Sequence, residues 1–192
     1  MKFVPFALTT LRLVLGPIAL LSAMAKVTHF VYLPILIVGT LSDIYDGILA
    51  RRLGVATPAL RRYDSITDVI FYLFILGATW ITRHELVVQN WIPILLILAS
   101  EIAVVLVCFY KFGKYPATHS WLAKFYGLCL LAGLIALLVF NAGSWAIISL
   151  TTVAVITNAE IIAIHLLMKT PPVDVKTVFK IPKAGKGKSQ PG

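Results

Sequence analysis

The sequence predicts an all-α integral membrane fold with six transmembrane helices, and three observations carry that prediction. Mean hydropathy is +0.92 and only 13% of the 192 residues are charged, a balance that excludes an ordinary water-soluble domain. The apolar residues fall in six continuous runs, near 7–25, 30–50, 65–82, 87–109, 122–140 and 145–168, each long enough to cross a bilayer as a helix. Lysine and arginine are distributed unequally, with 15 of 17 on one side of the alternation between runs. Continuous runs, rather than alternation of period two, argue against a β-barrel.

The first run opens with Lys2 and Arg12. It is too long for the short apolar core of a signal peptide, so it is expected to remain as a span. Lys26 follows it on the opposite side. The second run ends in an acidic stretch and then Arg51 and Arg52; a loop from about Arg51 to Tyr63 adds Arg61 and Arg62 before the third run, which Arg83 terminates. The fourth run leads into a second long loop, about Tyr110 to Trp121, with Lys111 and Lys114, and Lys124 just beyond. After the sixth run the composition turns to Lys, Pro and Gly, with six lysines past Met168. Residues 1–168 are therefore read as the membrane domain and 169–192 as a disordered basic tail.

The positive-inside rule places both termini and the loop at 51–63 in the cytoplasm. The net charge of +9 then reflects topology and attraction to anionic membrane lipids, on the order of 1 kcal/mol for each surface lysine. No motif for nucleic-acid binding accompanies it. Trp80, Trp91, Trp121 and Trp145 lie near the expected span ends, as an interfacial aromatic belt requires. His29, His84 and His165 are read as interfacial, and Cys108 and Cys129 as buried thiols. Glu101 and Glu160 stand inside spans, where a carboxylate is costly; they either line a site or bond another helix.

Four of the five aspartates, Asp43, Asp46, Asp64 and Asp68, fall within 26 residues. Residues three or four apart share a helix face, so Asp43 and Asp46 converge at the cytoplasmic end of the second span and Asp64 and Asp68 at the start of the third. Four such carboxylates repel one another at a membrane boundary unless cations compensate them. Oxygen-only ligation, with no His or Cys nearby, selects Mg²⁺ or Mn²⁺ over Zn²⁺. Gly47 and Ala50 leave a small-residue floor, and the planar fork of Arg51 suits phosphate oxygens. These parts together describe a diphosphate site. Plain solvated helix ends, pairing with Arg51, Arg52, Arg61 and Arg62, would not need two carboxylate pairs at helical spacing.

The pattern Asp43-x2-Asp46-Gly47-x2-Ala50-Arg51-x12-Asp64-x3-Asp68 resembles the signature of the CDP-alcohol phosphatidyltransferases, D-x2-D-G-x2-A-R-x8-G-x3-D-x3-D, at seven of eight fixed positions. The opening Val4-Pro5-Phe6-Ala7-Leu8-Thr9-Thr10-Leu11-Arg12 is similar to the Pro-Asn-x-Leu-Thr-x-x-Arg start common in that family. The resemblance covers residues 1–168. It implies an enzyme of phospholipid synthesis in which an alcohol attacks the phosphorus of a CDP-lipid such as CDP-diacylglycerol and CMP leaves. Asp43, Asp46 and Asp64 would hold two Mg²⁺ ions, with Asp68 as ligand, general base or both. Gly47, Arg51 and Thr57 match positions that contact the CDP-lipid, with Ala50 beside them. A homodimer in the bacterial cytoplasmic membrane is expected from the resemblance alone.

The sequence departs from the pattern at two places near the site: Leu60 stands at the second glycine and Phe6 at the asparagine. The acceptor end departs further. Members that use glycerol 3-phosphate often carry Arg-Glu in the fourth span and Ser-Trp-Ile-Gly-Lys-x-Lys-Thr before the fifth; here Ser100-Glu101 and Ser120-Trp121-Leu122-Ala123-Lys124-Phe125-Tyr126-Gly127 correspond. Lys124 survives, and Arg61, Arg62, Lys114 and His119 are the other candidate acceptor contacts. Glycerol 3-phosphate leads the acceptors, ahead of inositol phosphate, phosphatidylglycerol and other polyols. Two rival classes are an intramembrane prenyltransferase, which also pairs aspartates with Mg²⁺ and a diphosphate, and a cation-transporting or non-catalytic member of the family.

Overall fold

A computed structural model describes residues 3–55, 57–113, 120–168, 175, 177 and 178. They form α1 (Val4–Met24), α2 (Tyr32–Arg52), α3 (Pro58–Thr82), α4 (His84–Gln89), α5 (Trp91–Phe112), α6 (Trp121–Leu138) and α7 (Ser144–Leu167), with a 3₁₀ turn at His29–Val31. No strand occurs among the described residues. All but α4 are long and apolar enough to cross a membrane. In the span Trp91–Phe112 only 11% of the most apolar window is buried within the protein, and Leu95, Leu96, Leu98, Ile102, Leu106 and Phe109 are exposed, as the lipid-facing side of a span is. All four tryptophans lie within three residues of a helix end and are about half or more exposed.

Two boundaries differ from the sequence expectation. The third helix starts at Pro58 rather than near 65, because Thr57 caps it: the Thr57 hydroxyl accepts the Leu60 N–H at 3.2 Å, and Pro58 occupies a first-turn position that needs no donor. Leucine is a better helix former than glycine by roughly 0.5–1 kcal/mol, so Leu60 belongs inside this turn. The loop expected over 51–63 shrinks to 53–57, and Asp64 sits in the second turn of α3. The fourth run divides in two, since Asn90 interrupts it between the six-residue α4 and α5.

The described residues divide into two compact units, one within 1–90 and 131–146, the other within 91–130 and 147–192. In the first, α1 packs along both α2 and α3. Small residues set the spacing. A Cβ on Gly39 would lie 2.6 Å from the Phe71 ring, and one on Gly16 would lie 2.8 Å from the Phe74 ring. Such contacts allow close helix approach where lipid gives no hydrophobic drive between helices. Ala19, Ala23, Tyr32, Ile35, Leu36, Phe71, Ile75 and Ala78, with Leu138 and Val139, complete the core. The pairs Thr10–Tyr63, Gly16–Phe74 and Leu20–Gly77 rise together along α1 and α3, so these helices run parallel.

In the second unit the contacts Pro93–Thr151, Ser100–Asn158 and Lys111–Leu166 also rise together, so α5 and α7 are parallel. Asn158 Nδ2 donates to Ser100 Oγ at 2.9 Å. Glu160 meets residues beyond α7 rather than another helix: its Oε1 accepts the Thr177 hydroxyl at 2.9 Å and the Val178 N–H at 3.4 Å. His165, expected at the interface, is fully buried, with Nδ1 2.8 Å from the Ile161 carbonyl. Cys108 is buried and Cys129 half-buried, both as free thiols.

Candidate metal and phosphate site

The antiparallel course of α1 and α2 and the parallel course of α1 and α3 bring three sequence segments to one depth. Asp43 and Asp46 occupy the fourth turn of α2, Asp64 and Asp68 the second and third turns of α3, and Thr9 and Arg12 one face of α1. Arg12 lies eight residues past Val4, roughly 12 Å along the helix at 1.5 Å per residue. An arginine so far inside an apolar run requires a partner.

Its partners are all four aspartates. Nη1 lies 3.1 Å from Asp43 Oδ1 and also pairs with Asp68; Nη2 lies 2.5 Å from both Asp46 Oδ2 and Asp64 Oδ1. Each nitrogen therefore joins one carboxylate of α2 to one of α3. The Arg12 side chain is 1% exposed and that of Asp46 4%, whereas those of Asp43, Asp64 and Asp68 are 48%, 32% and 33% exposed. The guanidinium forms a floor, with Asp46 beside it and the other three carboxylates toward the opening. Thr9 Oγ1 lies 2.8 Å from Asp46 Oδ2 and 3.0 Å from the Pro5 carbonyl, so its single proton serves two acceptors. Thr10 and Tyr63 hydroxyls meet at 3.0 Å, and Tyr63 stacks on Phe6 with ring centroids 5.0 Å apart. Phe6, at the position of the motif asparagine, thus ties α1 to the first turns of α3.

The donor set suits a hard divalent cation. One carboxylate oxygen from each of Asp43, Asp64 and Asp68 lies within 4.8 Å of the others, and all are oxygen ligands. Asp46 Oδ1 is buried without a hydrogen-bond partner, a costly state for an anionic oxygen unless a cation satisfies it. One guanidinium against four carboxylates leaves three negative charges in the cluster, which further cations would neutralise.

Gly47 and Arg51 lie on the next turn of α2. A Cβ on Gly47 would meet nothing nearer than Arg51 Nη1 at 3.6 Å, so the Arg51 guanidinium folds back over an otherwise open glycine face. Ala50 is buried and Arg51 exposed. Thr57 is exposed and serves as the cap of α3; Leu60, half-buried, sits in the first turn of that helix. Among the candidate acceptor residues, Arg62 is exposed, and Lys124 in the second unit holds its ammonium 5.9 Å from the Trp121 ring. Lys114 and His119 lie outside the described residues, as do the Arg61 side chain and most of the tail.

The sequence reading assigns Arg12 to the charge balance of the first span and to the opening motif, and assigns no role to Thr9. The available signal was the i, i+3 spacing of Thr9 and Arg12 inside an apolar helix, which puts both polar groups on one buried face. The opening motif is the cationic half of the site.

Comparison with curated proteins and with solved structures gives no match. A family model, CDP-alcohol phosphatidyltransferase, matches residues 2–166, the stretch that contains α1 to α7 almost entire, the four aspartates and Arg12. The chain belongs to the CDP-alcohol phosphatidyltransferase family, whose members transfer a phosphatidyl group from a CDP-alcohol to an acceptor.

Proposed function

We propose that this protein is a divalent-metal-dependent transferase that moves the phosphatidyl group of CDP-diacylglycerol to a small alcohol, with glycerol 3-phosphate the leading acceptor. The observation that carries this reading is the convergence of Asp43, Asp64 and Asp68 from two helices to within 4.8 Å, beside the open face of Gly47. Two Mg²⁺ ions, or Mn²⁺ in their place, held by Asp43, Asp46, Asp64 and Asp68 would offset the diphosphate charge and stabilise the leaving CMP. Arg51, with its fork exposed above Gly47, binds a phosphate oxygen of the donor. Ala50 and Thr57 complete the donor side. Asp68, about one-third exposed, takes the proton of the acceptor hydroxyl as its oxygen attacks phosphorus. The new P–O bond forms, the bond to the CMP phosphate breaks, and CMP departs.

Arg61, Arg62, Lys114, His119 and Lys124 are the candidate cations for a phosphorylated acceptor. Membership of the family, with its CDP-alcohol donor, sets the prenyltransferase class aside. The charge asymmetry supports an arrangement with both termini and the carboxylate site on the cytoplasmic side of a bacterial inner membrane, and a homodimer follows from the family resemblance. The test is an acceptor panel run with purified protein, CDP-diacylglycerol and Mg²⁺, scored by CMP release and product mass. Glycerol 3-phosphate is expected to give phosphatidylglycerol phosphate. Product with inositol phosphate or phosphatidylglycerol alone would replace the acceptor, and no CMP with any acceptor would leave a non-catalytic or transporting member.

A further inference from the structure

Arg12 does more than any step of the transfer requires of it. A single guanidinium, 1% exposed, contacts all four carboxylates, each of its terminal nitrogens bridging α2 to α3. Its charge is permanent, because arginine does not deprotonate in proteins. Three of the carboxylates it holds, those of Asp43, Asp64 and Asp68, are the same three whose oxygens approach one another closely enough to share a cation. They are also the three that solvent reaches. Asp46 differs: it is 4% exposed, and its Oδ2 is engaged by both Thr9 and Arg12.

We propose that Arg12 is the built-in counter-cation of the site. It holds the four carboxylates together when no divalent cation is bound, yields Asp43, Asp64 and Asp68 as cations enter from the open side, and stays on Asp46. This rests on the reading that the aspartates bind metal, and adds that metal affinity is set by competition with a residue of the protein itself. Because coupling between two ligands of one site is reciprocal, the hold that Arg12 has on the cluster appears as weakened metal binding. Arg12 is then a positioning residue, and removing it separates two effects: assembly of the empty cluster worsens, and affinity of the cluster for a cation improves.

The test uses the full chain in detergent, Mn²⁺ binding followed by electron paramagnetic resonance, and thermal melting in EDTA and in saturating Mn²⁺. Arg12→Met, neutral and of similar length, is expected to tighten Mn²⁺ binding by about tenfold, within the usual range of coupling between sites. It should also melt lower in EDTA and gain more from Mn²⁺ than the parent does. Arg12→Lys keeps one charge but lacks the fork that reaches four carboxylates, so an intermediate shift of about threefold is expected. Unchanged or weaker Mn²⁺ binding in these variants overturns the proposal. If Arg12→Met does not fold, Arg12→Lys decides by the same criterion. Asp64→Asn separates this proposal from the one it rests on: failure of the parent itself to bind Mn²⁺ removes the metal reading, whereas parent binding that Asp64→Asn abolishes and Arg12→Lys leaves unchanged removes only the role given to Arg12.

Discussion

The two units of this chain handle polarity in opposite ways. In the first, four carboxylates and a buried guanidinium meet within a span, and the helices that carry them are drawn together by Gly16 and Gly39 under aromatic rings. In the second, α5 and α7 are joined by the neutral bond of Asn158 to Ser100 and by Thr151, whose hydroxyl reaches the Pro93 carbonyl at 3.3 Å. The groove between Leu106 and Lys111, bordered by Leu166, has a volume of about 770 Å³ and apolar walls, and the Lys111 ammonium at its edge is taken up by the Leu166 carbonyl at 2.6 Å. Neutral interhelical bonds contribute about 0.6 kcal/mol each on average, a scale that suits structure. Concentrated charge inside a span is far costlier, and is retained where chemistry uses it. The candidate metal ligands lie in the first unit; in the second, the neutral bonds join α5 and α7.

That contrast can be broken by substitution. Asp68→Asn should lower CMP release by about 10²–10⁴-fold, the usual contribution of a general base; Mn²⁺ binding that survives on Asp43, Asp46 and Asp64 would mark Asp68 as mainly the base, its loss would mark it as mainly a ligand, and unchanged turnover would remove Asp68 from the base role. Gly39→Ala should destabilise the first unit by about 1–3 kcal/mol, the cost of overpacking, because the new methyl carbon meets the buried Phe71 ring at 2.6 Å. Its melting temperature and its activity should fall together, since α2 and α3 position the aspartates. Gly47→Ala is the matched opposite. Its Cβ meets only Arg51 at ordinary contact distance, so stability should stay within about 0.5 kcal/mol while KM for CDP-diacylglycerol rises roughly tenfold, or ~1.4 kcal/mol. Asn158→Leu should be the smallest: about 0.6 kcal/mol of stability and no change in the metal dependence of CMP release. A large loss of activity with intact stability would show that the second unit shares in the chemistry.

Much of this was legible because membrane helices obey few rules. The six spans follow from run length, and the convergence of Asp43 with Asp46 and of Asp64 with Asp68 follows from helical spacing alone. The length of α3 was hidden because the apolar run begins several residues after the helix does; Thr57 and Pro58 mark the true start. The short α4 was hidden inside one hydrophobic run, where composition does not register the break at Asn90. Arg12 was visible as a charge but not as a partner. Which carboxylates a buried cation meets depends on the packing of α1 against two other helices, and neither spacing nor propensity encodes that register. His165 shows the same limit, since a histidine near a helix end reads as interfacial until packing covers it.

The central claim is that the carboxylate cluster binds a divalent cation and uses it to release CMP from a CDP-lipid. Purified protein in detergent, given CDP-diacylglycerol and glycerol 3-phosphate, should release CMP with Mg²⁺, stop in EDTA, resume with Mn²⁺, and remain inactive throughout as Asp64→Asn. Release that persists in EDTA, or that survives Asp64→Asn at the parent rate, would contradict the account.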